Sequence, residues 1–177
     1  METKQYLIDF YNTYDEDSRL ALKHGMVEFL TTMHYIDKYI KSGDCVLEIG
    51  AATGRYSHTL ARQGYDVDAV ELVEHNIEVF HKNTQSNENI SITQGNAMDL
   101  SVFPDNKYDI TLLLGPLYHL YNKEDKQQAL HEAIRVTKPG GVVFAAYVIS
   151  DGCLIDEGFH RGNIDVSEYI EKGLIDP

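Results

Sequence analysis

Val46-Leu47-Glu48-Ile49-Gly50-Ala51-Ala52-Thr53-Gly54-Arg55-Tyr56-Ser57 reads as a buried strand that runs through a tight turn of small residues into a helix. The strand is short and apolar around Glu48, with β-branched residues at both ends. Gly50, Ala52 and Gly54 then offer minimal side chains at alternate positions, so the backbone there can lie directly against a ligand.

Working outward, Ser57 to Gln63 carries Leu60 and Ala61 on a helix that Gly64 ends, and Tyr65 to Glu71 alternates as a strand. Val73, Ile77 and Phe80 fall at i, i+4 and i+7 on a helix running from Val73 to Asn83, and a polar loop leads to a third strand, Ile90 to Thr93. The turn Gln94-Gly95-Asn96-Ala97-Met98-Asp99-Leu100 follows directly. Tyr108 to Leu114 ends in an unbroken apolar run of the kind buried on both faces, which places it at a sheet's centre. Gly115-Pro116 breaks it, and Lys123 to Thr137 is helical with Ala129, Leu130, Ala133, Ile134 and Val136 on its buried side. Lys138-Pro139-Gly140-Gly141 reads as a turn into a fifth strand, Val142 to Val148.

Upstream, Tyr6, Phe10, Tyr11 and Tyr14 give a short helix one aromatic face, and Asp15 to Ser18 supplies capping chemistry. A second helix follows with Phe29, Leu30, Met33, Ile36, Tyr39 and Ile40 on its apolar side, and Ser42-Gly43-Asp44 stops it. Beyond Ser150 the chain is polar and glycine-dotted, with one weak helix around Val166 to Glu171. The expected organisation is N-terminal helices over residues 1–42, an α/β core over 43–150 and an irregular segment over 151–177. Strands alternating with helices imply an α/β, Rossmann-like, doubly wound and mostly parallel sheet of at least five strands with helices on both faces. Ligands in such sheets bind beyond the carboxyl ends of the strands, where the strand order reverses.

Composition narrows the function. With 177 residues, 43% hydrophobic and 24% charged, the chain suits one well-buried domain. A net charge of −13 without a basic patch disfavours nucleic acid as a partner. Cys45 and Cys153 form neither a disulfide framework nor a metal-binding spacing. No segment reads as a secretion signal or a membrane span, which predicts a cytoplasmic protein.

The Gly50 and Gly54 spacing around Ala52 departs from the G-x-G-x-x-G of dinucleotide-binding turns and argues against a pyrophosphate. Glu71 alone reads as a surface glutamate; at the end of the second strand, beside the turn, its carboxylate can accept both hydroxyls of a ribose. Leu72 can supply an apolar contact to a base, and Asn96-Ala97-Met98 can hydrogen-bond an adenine edge while packing on its face, or be an ordinary loop turn.

Taken in order, Val46 to Tyr56, Glu71-Leu72, Asn96 to Asp99, Leu114 to His119 and Lys138 to Gly141 resemble the motifs of class I S-adenosylmethionine-dependent methyltransferases, over roughly residues 25 to 150. The resemblance implies that Glu48, Gly50, Ala52 and Gly54 shape the pocket for the methionyl part of S-adenosylmethionine. It implies further that Glu71 holds the ribose, that Asn96, Ala97 and Met98 surround the adenine, and that Leu114 lies near the sulfonium. Ala52 stands where glycine is commonest in that family. Tyr118 and His119 are the candidates for substrate contact; a histidine can take up a proton near neutral pH, though a core or surface histidine fits the same position. Tyr11, Tyr14 and Arg19 are implied as lid residues, with Arg19 meeting the cofactor's carboxylate, against the simpler reading of Arg19 as an exposed helix residue.

The resulting expectation is a methyltransferase acting on a small molecule, with no metal. No Asn-Pro-Pro-Tyr motif follows the fourth strand, so nucleobase and protein-glutamine acceptors are not supported. Two alternatives stand beside it, a noncatalytic cofactor-binding or interaction module and a nicotinamide-dependent oxidoreductase. Members of the family usually add two strands after the fifth, and residues 151–177 show no two convincing strands. An exposed sheet edge would then pair with a second copy to give a homodimer.

Overall fold

The computed structural model describes residues 8–9, 23–149, 152, 155–162 and 166–171. The chain divides into two units, residues 1–146 and 147–177. In the first, helix α1 (Lys23–Ile36) precedes β1 (Cys45–Ile49), α2 (Arg55–Arg62), β2 (Asp66–Glu71), α3 (Glu74–Asn83), β3 (Ile90–Gln94) and β4 (Tyr108–Leu113). A 3-10 turn (Pro116–Tyr118), α4 (Lys123–Val136) and β5 (Thr137–Ala145) complete it. In the second unit a π-helical turn covers Ile155–His160, and the expected weak helix forms as α5 (Val166–Glu171).

The five strands are all parallel, in the order β3-β2-β1-β4-β5. The chain moves outward from β1 to β3 and then returns to place β4 on the other side of β1. The order therefore reverses between β1 and β4, and the strand ends there open a crevice. The apolar run of β4 lies between β1 and β5, and Ile110 to Leu113 is buried, as expected of a strand covered on both faces.

Alternation along the strands feeds a layer on each side of the sheet. Val46, Ile110 and Leu112 pack with Met33 and Ile36 of α1 and with Tyr56, Leu60 and Ala61 of α2. Leu47, Ile49 and Leu113 pack with Ala129, Ala133 and Val136 of α4. Each fully buried Leu, Ile or Val contributes about 1.5–3 kcal/mol relative to an exposed one, so these two layers fix the strand ends that carry the site.

Several local expectations change in the structure. Lys138-Pro139-Gly140-Gly141 is not a turn before a strand but a bulge inside β5: Tyr108 pairs with Thr137, and Ile110 already pairs with Val142. A Cβ on Gly141 would come within 2.8 Å of the Asp109 carbonyl oxygen, so the close approach of these two strands requires glycine. β5 then ends at Ala145 and not at Val148. In α4 the buried stripe is Ala129, Ala133 and Val136, at i, i+4 and i+7, with Ile134 off it and 60% exposed. On α1, Met33 and Ile36 are buried while Leu30 is exposed, and Tyr39 lies past the helix end with its ring edge-on to Phe144 at 5.8 Å. Among the described residues no helix is long and apolar enough to cross a membrane.

Candidate functional site

The turn after β1 is held by its neighbours. The Gly50 and Ala51 amides both donate to the Val70 carbonyl at 2.8 and 3.0 Å, and the Gly54 amide donates to Ala51 at 2.8 Å. Gly50, Ala52 and Gly54 all take positive φ, at 74°, 48° and 87°. Ala52 is thus a non-glycine residue in the left-handed region, at a cost of about 1–2 kcal/mol. Gly50 has a second constraint, because a Cβ there would lie 2.7 Å from Cγ of Pro116. The absence of that atom lets the loops after β1 and β4 meet over the strand ends.

Glu48 is 3% exposed and does not line the cleft over the strand ends. Its carboxylate accepts from the Ser57 amide at 2.9 Å and from the Ser57 hydroxyl, clamping the first turn of α2 to β1. Burial raises its pKa from 4.5 to about 7, against the lowering effect of the two Ser57 hydrogen bonds; the nearby Glu71 carboxylate adds to the rise.

Glu71 ends β2 and is 6% exposed. One carboxylate oxygen accepts from the Ala52 amide at 2.8 Å; the other accepts from the Val73 amide at 2.8 Å and from the Asn76 side-chain amide at 3.4 Å. Burial raises its pKa, with these hydrogen bonds opposing the rise. Each carboxylate oxygen has about two lone-pair sites, so the one facing Ala52 retains room for another donor. Asn76 escaped the sequence reading. It sits 2% exposed on the stripe Val73, Asn76, Ile77 and Phe80, and an amide on an otherwise apolar stripe was the available signal.

A cleft of about 660 Å³, including its open mouth, lies over the ends of β1 to β4. Of the expected residues, Gly50, Ala52, Glu71, Leu72, Asn96, Ala97 and His119 line it, together with Asn76. Pro116 and Leu120 supply apolar wall. Asn96 is partly committed, since its side-chain oxygen accepts from the Met98 amide at 3.0 Å; its side-chain N–H groups remain as donors. The structure does not bring the other residues to this wall. Met98 packs its side chain against the core, Leu114 packs against the α1 and α2 layer, and Tyr118 is 39% exposed outside the cleft. Gly54 packs under Phe80 and His58. Tyr11, Tyr14 and Arg19 lie outside the described residues.

A buried carboxylate at the end of β2, donors and apolar walls after β3, and a crowded small-residue turn after β1 suit a ribose, a base and a slender polar chain respectively. Fold and cleft together define a doubly wound α/β domain with a ligand-sized cleft at a topological switch point. A family model described as a methyltransferase domain matches residues 47–145, more than half of the chain. The chain belongs to the S-adenosylmethionine-dependent methyltransferase family. It is 33% identical over 111 residues to a demethylmenaquinone methyltransferase of Staphylococcus aureus. That match covers 60% of this chain and 44% of the relative, so the chain spans less than half the length of the curated relatives it matches. Among solved structures it is similar to an S-adenosylmethionine-dependent methyltransferase of Methanosarcina mazei. That likeness is 25% identical with a TM-score of 0.56, over 62% of this chain and 54% of that one. The PH0226 protein of Pyrococcus horikoshii shares the fold at 24% identity and a TM-score of 0.66, over 76% and 63% of the two chains. The matched family is one of methyltransferases and not of nicotinamide-dependent oxidoreductases.

Proposed function

We propose that this chain binds S-adenosylmethionine in the cleft over β1 to β4 and transfers its methyl group to a small-molecule acceptor. The observation that carries this reading is the Glu71 carboxylate, buried at the end of β2 and facing the cleft, with Asn96 and Ala97 across from it. Bound there, the cofactor supplies a sulfonium methyl group already activated toward a nucleophile. The protein's share is alignment and exclusion of water. Glu71 accepts from the ribose hydroxyls, the Asn96 side-chain amide donates to the adenine edge, and Leu72 and Leu120 pack on the base. The turn Gly50 to Gly54 passes the methionyl chain. His119, on the cleft wall after β4, takes the proton that the acceptor releases, and Tyr118 contacts the acceptor beside it. In this reading the enzyme works in the cytoplasm.

The direct test is calorimetric titration with S-adenosylhomocysteine. Saturable one-to-one binding that weakens in Glu71→Ala is expected; no binding by the folded chain, or equal affinity in the variant, would overturn the reading. Transfer is checked by the release of S-adenosylhomocysteine in the presence of acceptors, starting with demethylmenaquinone, the compound for which the Staphylococcus aureus relative is named. His119→Gln is expected to slow release without weakening S-adenosylhomocysteine binding.

A further inference from the structure

One face of α2 carries Arg55, His58, Thr59 and Arg62 at i, i+3, i+4 and i+7, with His58 buried among them. With Lys82 at the end of α3 they line a second groove, of about 1240 Å³ with its open mouth. No residue lines both this groove and the cleft over the strand ends. Its charge runs against the rest of the chain: three cations line it and no carboxylate does, in a protein of net charge −13. The nearest acid described there, Glu88, is spent on holding the groove together, at 2.7 Å from Nδ1 of His58 and 2.6 Å from Nε of Arg62.

Among the described residues, two of the cations have no carboxylate partner. Arg55 is half-buried, and among the described residues its guanidinium meets the Met26 sulfur at 2.8 Å and the face of the Phe29 ring at 4.5 Å. Lys82 forms no ion pair within 4.0 Å among the described residues, although Glu78 stands one turn before it on α3. The hydroxyls of Thr59 and Thr84 already donate to the Arg55 and Phe80 carbonyls at 2.7 and 3.0 Å, so recognition falls to the cations. His58, 3% exposed, leaves its Nε2 without a hydrogen-bond partner. A partly desolvated guanidinium with no carboxylate is costly, and in a chain with so many carboxylates its persistence points to an anion from outside.

We propose that this groove binds a small phosphate-bearing ligand, of the diphosphate class. Arg55 opens α2 and Lys82 stands in the last turn of α3, so the two cations without a carboxylate come from separate helices. Two linked phosphates let the Arg55 fork and the Lys82 ammonium each take a charge while Arg62 keeps Glu88.

Titration calorimetry with pyrophosphate, and separately with inorganic phosphate, at an ionic strength held constant with potassium chloride tests the site. Saturable binding of pyrophosphate is expected, tighter than phosphate, with S-adenosylhomocysteine failing to compete. Each lost charge-assisted contact removes about tenfold in affinity, so Arg55→Gln/Lys82→Gln should lose about a hundredfold. Lys82 is exposed, so Lys82→Gln leaves the core intact and alone should lose about tenfold; that variant decides the matter if the double variant does not fold. No saturable binding, unchanged affinity in Lys82→Gln, or competition by S-adenosylhomocysteine would overturn the proposal.

Discussion

Replacing Gly54 by alanine tests how tightly the cofactor turn is packed onto α3. The added Cβ would lie 2.4 and 2.5 Å from Cδ2 and Cε2 of Phe80 and 2.8 Å from Cδ2 of His58. Phe80 is 1% exposed and has nowhere to swing, so either α3 or the turn must move. The backbone adds a second cost, because φ at Gly54 is +87°. The left-handed conformation costs an alanine about 1–2 kcal/mol, and overpacking a filled site costs about 1–3 kcal/mol. Together these reach roughly 2–5 kcal/mol, a large share of the 5–15 kcal/mol that typically separates folded from unfolded chains. Gly64 supplies the control: its φ is +95° with nothing within 4 Å of a built Cβ. Gly64→Ala should therefore show the conformational cost alone, about 1–2 kcal/mol. Urea unfolding of both variants separates the terms, and a double-mutant cycle with Phe80→Leu should show favourable coupling to Gly54→Ala of about 1 kcal/mol or more. A Gly54→Ala no less stable than Gly64→Ala, with no coupling to Phe80→Leu, would refute the packing argument.

Three further outcomes follow from the turn and its two buried acids. Glu48 keeps its proton to about pH 7 when folded, against 4.5 as the ordinary value, so the folded chain binds the extra proton and stability falls as pH rises across that window. At about 1.4 kcal/mol per pH unit the loss is roughly 3 kcal/mol. Glu48→Gln should remove that slope and be the more stable form at pH 8; urea midpoints at pH 5 and pH 8 that shift equally in both proteins would contradict this. Glu71→Gln places an amide donor against the Ala52 or Val73 amide and leaves one buried donor unmade, at about 1–3 kcal/mol, which thermal unfolding should register together with a tenfold or greater loss of S-adenosylhomocysteine affinity. Ala52→Gly relieves about 1–2 kcal/mol of left-handed strain and adds about 0.4–1 kcal/mol of unfolded-chain entropy. A net gain of up to about 1.6 kcal/mol in urea is expected, and a clear net loss would contradict the strain.

The parallel sheet, the inner place of β4 and the binding edge were legible because they rest on patterns that burial enforces. The run Ile110 to Leu113 is buried on both faces because helices cover both faces, and the apolar stretch Leu112 to Leu114 at its end placed β4 centrally. Glu71 and Asn96 were legible by their position after strands. What stayed hidden was set by pairing and by three-dimensional neighbours. Lys138-Pro139-Gly140-Gly141 carries every local sign of a turn, yet β4 draws Thr137 into the ladder ahead of it and forces the segment out as a bulge. Ile134 looks like core by composition, but a helix buries positions and not residue types, and 129, 133 and 136 form the stripe that meets the sheet. The resemblance set Glu48 among the residues that shape the pocket; its carboxylate instead grips Ser57, so any effect on a ligand passes through the turn. Asn76 was missed for the opposite reason, because its stripe was read for apolar residues only.

The account's central claim is that an adenosine-bearing cofactor lies between Gly50, Glu71 and Asn96. A crystal structure of the chain grown with S-adenosylhomocysteine tests this most directly. The account predicts density in the cleft with the ribose hydroxyls on the Glu71 carboxylate and the adenine beside Leu72 and Asn96. Ligand bound elsewhere, or an empty cleft at saturating S-adenosylhomocysteine, would contradict it.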